Sequence, residues 1–497
     1  MRRAAATAVG ATDSPAVARA LELGALALIV LDFGRIVVGL IALDAPLHWD
    51  EAVYAVRARS WVDADAALSG WSHIRPPLLP MLAGIPVLAG GDEWQLRLIG
   101  LLAGIGVLLA AWWLGRMVAG PLAGVLAAAV LHGSPTLQKE SATLLTDVPA
   151  TALVLLAAGL AWWQLEARPR PGVALALGAL VAVAAFLMRY GSVVVLVPLA
   201  GMVVLLWWRV LIANAPVALA ALAIGFVAAA GHVAWSMAQT GAPLGILLGA
   251  QDVVSADPAG VPPYREYVRY VDFTLAGSVG AAAMRLGVLA LPLAALAAVV
   301  RPGWDRSLRA ALFLLVPAAA QVYLLTRGVA HAEERFFLVS TVLIVIAGAS
   351  VAGTLLRRMP GVVTLAALGA VVVLLAFARG PSVDHSLQRT EETARYYRQF
   401  ELAGRAVGLA AGDDCGIVGG GYPILAWYSG CEAAALRLPP GGNLHARERW
   451  AVLFGDPDDL DRSAPIVTAV MAAATDEPVT ISDPDSGAVI ASLWRLE

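Results

Sequence analysis

The stretch Leu47-His48-Trp49-Asp50-Glu51-Ala52-Val53-Tyr54-Ala55 sets two adjacent carboxylates just after the first long apolar run of the chain. Acidic side chains are costly inside hydrocarbon, so at a membrane boundary they face water, a partner or a substrate. Further ionisable groups recur at the ends of later apolar runs. His73 and Arg75 precede the prolines Pro76-Pro77, Asp147 stands in Leu144-Leu145-Thr146-Asp147-Val148-Pro149, Arg189 ends one run, and Glu334-Arg335 opens another. Arginine grips phosphate through its planar fork, and a carboxylate takes the proton of an incoming hydroxyl. Carboxylates and arginines gathered at one boundary therefore suit a substrate with a phosphate head and an apolar tail that stays in the bilayer.

The elements that must position these groups follow from composition. Of 497 residues, 59% are hydrophobic and 14% charged, against about 25% charged in a soluble domain, so the expected fold is an α-helical polytopic membrane protein. A net charge of −3 with no long run of like charge speaks against a nucleic-acid surface. Arg2, Arg3 and Arg19 precede the run Leu23–Leu43, which is too long for a signal-peptide core and lacks a small-residue cleavage site, so it is expected to be a retained helix.

Eleven runs are apolar enough to be crossings: Leu23–Leu43, Leu96–Gly115, Leu122–Leu137, Val148–Trp163, Val173–Met188, Val193–Trp208, Pro216–Met237, Val279–Val300, Ala310–Leu325, Phe336–Leu356 and Val362–Phe377. The stretch Pro76–Ala89 is shorter and carries four prolines, which fits a re-entrant or interfacial segment. If that stretch does not cross, Arg116, Arg168, Arg170, Arg209, Arg301, Arg306, Arg309, Arg357 and Arg358 share one face with the N-terminal arginines. Arginine accumulates in short cytoplasmic loops. The opposite, extracytoplasmic face then holds Asp50, Glu51, Arg75, Glu140, Asp147, Arg189, Glu334 and Arg335, together with the loop Ala238–Leu275 and the C-terminal part. Within that loop, Tyr264-Arg265-Glu266-Tyr267 mixes aromatic and charged residues as headgroup-level segments do, and could gate a site beneath it.

After Phe377 charges return and the apolar runs shorten. A division into a membrane domain, 1–379, and an external soluble domain, 380–497, is expected. The second should be a small α/β sandwich with helices at Glu391–Ala411 and Pro465–Ala474 and strands at Cys415–Val418, Trp450–Phe454, Val479–Ser482 and Val489–Leu493. Gly419-Gly420-Gly421 lacks the spacing of a dinucleotide fingerprint and is expected to be a tight turn. Cys415 and Cys431 are the only cysteines; two cannot make a Cys-only zinc site, and on an oxidising face they are expected to form a disulfide. Asp32 and Arg35, three apart in the first helix, most simply pair with each other.

At these residues the chain resembles the GT-C superfamily of membrane glycosyltransferases, in the branch of protein O-mannosyltransferases and lipid A aminoarabinose transferases. The resemblance lies in Asp50-Glu51 with Tyr54 after it, in Arg75-Pro76-Pro77-Leu78-Leu79 where the family has His-Pro-Pro, and in Glu93-Trp94-Gln95-Leu96-Arg97-Leu98. It continues in Thr146-Asp147-Val148-Pro149, in Met188-Arg189-Tyr190-Gly191 where the family often has Lys-Tyr, and in Glu334-Arg335-Phe336-Phe337. It implies inverting transfer of a sugar from a polyprenyl-phosphate donor to a hydroxyl on a protein, glycan or lipid. Asp50, with Glu51 beside it, would supply the general base, and Asp147 would position the acceptor or a divalent cation if one is used. Arg75, Arg189 and Arg335 would hold the phosphate, with Tyr54, His73, Glu334, Tyr264 and Arg265 as further substrate contacts. The alternative class is a transporter or flippase of a lipid-linked substrate, which would show broken helices near the midplane and charges in both halves of a repeat. The sequence shows neither.

Overall fold

The computed structural model describes residues 15–62, 75–167, 172–249, 278–300, 306–328, 333–356, 361–411, 415–436, 450–484 and 486–496. Among these residues, seven helices are long and apolar enough to cross a membrane: they lie within 16–41, 93–119, 147–166, 190–213, 215–240, 306–325 and 334–356. Shorter apolar helices occupy Leu78–Leu88, Pro121–His132, Val173–Met188 and Met284–Ala295. The protein is therefore helical and multi-pass. His73, Tyr264 and Arg265 lie outside the described residues.

Two runs differ from expectation in ways the local sequence explains. The run Leu122–Leu137 is not one helix: Pro121–His132 stops at Gly133, and a new short helix, Pro135–Ser141, starts from Ser134, whose hydroxyl accepts from the Leu137 N–H at 3.2 Å. Serine before proline is a strong helix start. The last apolar run and the Glu391–Ala411 segment form one continuous helix, Gly361–Ala411, of 51 residues. The Leu78–Leu88 helix has 11 residues; at 1.5 Å per residue it reaches about 16 Å, short of a ~30 Å hydrocarbon core.

By contact the chain divides into two compact units. The first comprises residues 1–40, 100–142 and 146–387. Two groups of its intramembrane charges are paired, as burial in hydrocarbon favours. Asp32 accepts from Arg35 at 3.2 Å and lies 3.1 Å from the His132 ring, while Glu22 binds Arg116 at 2.9 Å and the Trp112 indole at 3.0 Å. Around them pack aromatic groups such as Trp162 with Trp207 and Phe313.

The second unit comprises 41–99, 143–145 and 388–497. It contains a five-stranded sheet of β1 (Gly416–Gly419), β2 (Glu432–Ala435), β3 (Trp450–Phe454), β4 (Val479–Ser482) and β5 (Val489–Arg495), in the order β2-β1-β3-β5-β4. The β1 strand is parallel to β2 and β3, while β5 is antiparallel to β3 and β4. Alternate residues of β3 face opposite sides. Ala451 and Leu453 join Val467, Val470 and Trp494 in a core under the helix Pro465–Ala473. On the other side Phe454 meets Phe400 of the long helix, ring centroids 4.5 Å apart.

The helix Tyr422–Ser429 links β1 to β2 and lies against the end of Gly361–Ala411 where that helix has Gly404 and Gly408. A Cβ at Gly404 would stand 2.9 Å from Tyr428 Cβ, and one at Gly408 2.8 Å from the Ser429 carbonyl oxygen, so glycine at both positions permits the approach. Gly419-Gly420-Gly421 is the turn into this helix, with Gly421 at φ +66°. Cys415 and Cys431, the residues just before β1 and β2, are joined by a disulfide.

Candidate active site

In the second unit the helix Trp49–Val62 begins at His48, and its first turn is held by a reciprocal pair of caps. The Asp50 N–H donates to His48 Nδ1 at 3.1 Å, and Glu51 Oε2 accepts the His48 N–H at 3.1 Å. This is a capping box with histidine in the place usually taken by serine or threonine. Glu51 points inward and is 1% exposed. Its Oε1 accepts from Arg97 Nε at 3.1 Å and the Leu144 N–H at 2.8 Å, and its Oε2 accepts from Arg97 Nη2 at 3.2 Å. Arg97 completes its own set on the carbonyls of Ala45, 2.7 Å, and Pro46, 3.2 Å. Burial raises the Glu51 pKa, but Arg97, His48 and the Leu144 N–H outweigh it and hold the carboxyl at about 2.

Asp50, on the neighbouring helical position, turns the other way. Its Oδ1 accepts from Arg75 Nη2 at 2.8 Å, and both side chains remain about one-fifth exposed. The Arg75 guanidinium lies 6.0 Å from the Tyr54 ring centroid, and its backbone carbonyl accepts from Arg57. Successive helical residues point about 100° apart, which explains why one carboxylate of the pair is enclosed and the other open. Glu51, the other carboxylate of the pair, is a buried ion-pair partner with its acceptor sites occupied.

The sheet domain grips this same helix. Tyr428 Oη accepts from the Leu47 N–H at 3.0 Å, Arg59 donates to the Trp427 carbonyl at 2.9 Å, and the Trp427 indole donates to Glu93 at 2.8 Å. Burial and the Glu93 carboxylate push the Tyr428 phenol well above its ordinary range, so it stays neutral. The loop carrying Asp50 is thus anchored from the C-terminal part of the chain.

The first unit contains a second group. Asp147 opens the helix Asp147–Trp162 and is ion-paired with Arg189, which stands in extended backbone between the helix Val173–Met188 and the turn Tyr190–Ser192. The Arg189 guanidinium lies 4.9 Å from the Phe336 ring centroid and that of Arg335 5.5 Å from the same ring. Arg335 also pairs with Glu333 at 2.6 Å, and Glu334 accepts from the Thr136 hydroxyl at 3.2 Å. Gln321 pins the turn Glu334–Phe337: it donates to the Phe336 carbonyl at 3.0 Å and accepts the Ser340 N–H at 2.9 Å. Glu140 lies in the field of Arg335 and Asp147; burial, only partly offset by Arg335 and Lys139, raises its pKa to about 7.

Of the expected residues, Asp50, Arg75 and Tyr54 are thus together in one unit, and Asp147, Arg189, Arg335 and Glu334 are together in the other. Arg97 and Glu140 belong to these groups but had no role assigned from sequence. A signal for Arg97 was present: an arginine near the start of an apolar helix demands a buried acid. Nothing in the sequence marks Glu140 as buried. Among the described residues no cluster of three or more His, Cys, Asp or Glu is arranged to hold a metal ion.

Residues 75–235 match the family described as dolichyl-phosphate-mannose-protein mannosyltransferase. No curated protein matches the chain by sequence. Among solved structures the chain is similar to ArnT from Cupriavidus metallidurans bound to undecaprenyl phosphate, with a TM-score of 0.63 and 13% identity over 97% of this chain and 98% of that one. It is also similar to the oligosaccharyltransferase of Archaeoglobus fulgidus in its apo form, with a TM-score of 0.52 and 12% identity over 94% of this chain and 74% of that one. At these identities the likeness is one of fold.

Proposed function

From the GT-C fold of this chain, we propose that the protein is a membrane glycosyltransferase that moves a sugar from a polyprenyl-phosphate donor to a hydroxyl acceptor on the extracytoplasmic face, with inversion. The observation that carries the proposal is the half-open Asp50–Arg75 ion pair on a helix start locked by Glu51 and Arg97. An acid beside a cation, both reachable from water, offers a proton acceptor and a phosphate contact within one hydrogen bond of each other. The match of residues 75–235 to a mannosyltransferase family and the undecaprenyl phosphate bound by ArnT support a polyprenyl-phosphate donor.

The acceptor oxygen attacks the anomeric carbon and passes its proton to the Asp50 carboxylate. The bond from that carbon to the phosphate oxygen breaks, and its electron pair leaves with the lipid phosphate. One displacement inverts the anomeric centre. Arg75 holds Asp50 in the structure; an arriving phosphate competes for the guanidinium and frees the carboxylate to act as base. Arg189 and Arg335, aligned on the Phe336 ring, are assigned to phosphate charge, and Asp147 to orienting Arg189 or the acceptor. Glu51 is assigned to positioning the helix start.

Glu140 gives this assignment a pH signature. Its carboxyl is raised to about 7, so it is neutral below that pH and anionic above it, where it competes with phosphate for Arg335. Donor affinity should therefore weaken as pH rises from 6 to 8, and Glu140→Gln should flatten that part of the profile. A donor KM that varies identically with pH in both proteins would remove Glu140 from the site.

Topology supplies a separate check. With Pro76–Ala89 not crossing, a periplasmic-type reporter fused after the C-terminal residue should be active and a cytoplasmic one silent; the reverse pattern would overturn the extracytoplasmic assignment. The direct test of activity is transfer of labelled sugar from polyprenyl-phosphate donors in membranes containing the protein. Donor carried across the bilayer without cleavage would replace the enzyme with a carrier.

A further inference from the structure

Trp49, the residue before Asp50, lines a cavity of about 360 Å³ in the second unit together with Tyr396, Tyr397, Phe400 and Phe454. Ligand sites span about 300–1,000 Å³, so the space suits one small ring rather than a chain. The aromatic rings are ordered against one another: Tyr396 stands edge-on to Tyr397 at 4.9 Å, and Phe400 lies between Tyr396 at 5.6 Å and Phe454 at 4.5 Å. The polar remainder is Gln399 and the backbone of Gly420 and Gly421. Tyr396 is 59% exposed, so its ring faces solvent at the cavity. Among the described residues that line the cavity none is charged. A second cavity of about 330 Å³ shares Tyr396 and Gln399 and continues past Arg395, Arg398 and Asp483.

Aromatic faces and edges, an amide and free space with no charge suit a ligand with a flat array of C–H bonds on one side and hydroxyls at its edge. A pyranose ring has that form, and aromatic groups serve such amphipathic partners because one end of the contact is apolar and the other wet. We infer that this cavity binds a neutral pyranose ring of the acceptor, making the acceptor a glycan whose next ring extends into the adjoining cavity. The donor sugar fits less well in this cavity, because no cation lines it; Arg395 and Arg398 line only the adjoining one. Consecutive Cα atoms are 3.8 Å apart, so the cavity wall at Trp49 and the carboxylate of Asp50 belong to the same helix start, with their side chains about 100° apart around it. The identity of the acceptor rests on the transferase proposal; the binding of the ring does not.

Gly420 allows the cavity to be closed without disturbing its walls. A Cβ there would meet only Phe454 ring carbons at 3.7 Å, ordinary contact, whereas a Cβ at Gly421 would come 2.1 Å from Phe400. Gly420→Leu should therefore fold and fill the space. The measurement is saturation-transfer NMR on the full chain in phosphatidylcholine nanodiscs, free of glycosidic detergent, with methyl hexopyranosides as probes and hexose 1-phosphate as competitor. The expected result is saturation of the pyranose C–H protons in the wild type and its loss by at least about fivefold in both Gly420→Leu and Trp49→Leu, with no displacement by hexose 1-phosphate. Equal saturation in wild type and Gly420→Leu would overturn the site. No saturation from any glycoside in the wild type would do the same. Displacement by hexose 1-phosphate would reassign the ring to the donor and overturn the acceptor assignment. Glycoside binding by a protein that consumes no polyprenyl-phosphate sugar would leave the cavity standing and remove the transferase.

Discussion

Asp50→Asn is expected to slow sugar transfer by ~10²-fold or more while the donor still binds and the protein stays folded. The substitution keeps the size of the side chain and an oxygen that can accept from Arg75, at present 2.8 Å away, so the ion pair becomes a neutral hydrogen bond. What disappears is the charge that takes up the acceptor proton. Because Asp50 is about one-fifth exposed, losing that charge strands nothing in a dry interior, and the melting temperature should move little. Loss of an interaction made only in the transition state lowers kcat and kcat/KM together. Arg75→Ala should behave differently, raising the donor KM through loss of a charge-assisted phosphate contact. Wild-type turnover by folded Asp50→Asn would end the base assignment and move it to Asp147.

The contrast between Asp50 and Glu51 marks where sequence stops being informative. Two carboxylates after an apolar run are visible in a string of letters, and so is their helical spacing. Which one faces the interior is decided by Arg97 and by the Leu144 N–H, 46 and 93 positions away, and no local pattern carries that. The membrane helices were legible because hydrocarbon demands long charge-free runs; the run broken at Gly133 and Ser134 departed because two capping signals outweigh apolar continuity, and the last run departed by continuing into Glu391–Ala411 as one helix. In the C-terminal part the strands rich in valine, isoleucine and tryptophan were legible, while β2 was not. Its Glu-Ala-Ala-Ala sequence has little strand propensity, and it is a strand because it pairs with β1 and the disulfide ends beside it. The anchoring of the Asp50 loop by Tyr428, Arg59 and Trp427 was likewise hidden, since each contact joins positions more than 300 residues apart.

Glu51→Gln should be the more damaging change to the molecule, although it is the more modest one chemically. The Glu51–Arg97 pair is 1% and 5% exposed, and the glutamine oxygen can still accept from Leu144 or His48 but cannot balance the guanidinium. Breaking a buried pair from one side leaves an uncompensated charge, typically costing about 3–5 kcal/mol, a large share of the ~5–15 kcal/mol that holds a protein folded. A sharp fall in melting temperature and in the yield of monodisperse protein is expected, with any loss of transfer following from it. The pH dependence identifies the cause. The Glu51 pKa is lowered in the folded chain, from an ordinary value of 4.5 to about 2, so its stabilisation is fully present above about 4.5 and is lost as pH falls toward 2. The gap in melting temperature between wild type and Glu51→Gln should therefore be constant from pH 8 to 5, narrow below about 4.5 and close toward pH 2. A gap that does not narrow on acidification, or a Glu51→Gln protein as stable as the wild type with transfer abolished, would return Glu51 to the catalytic groups and leave Arg97 without its structural role.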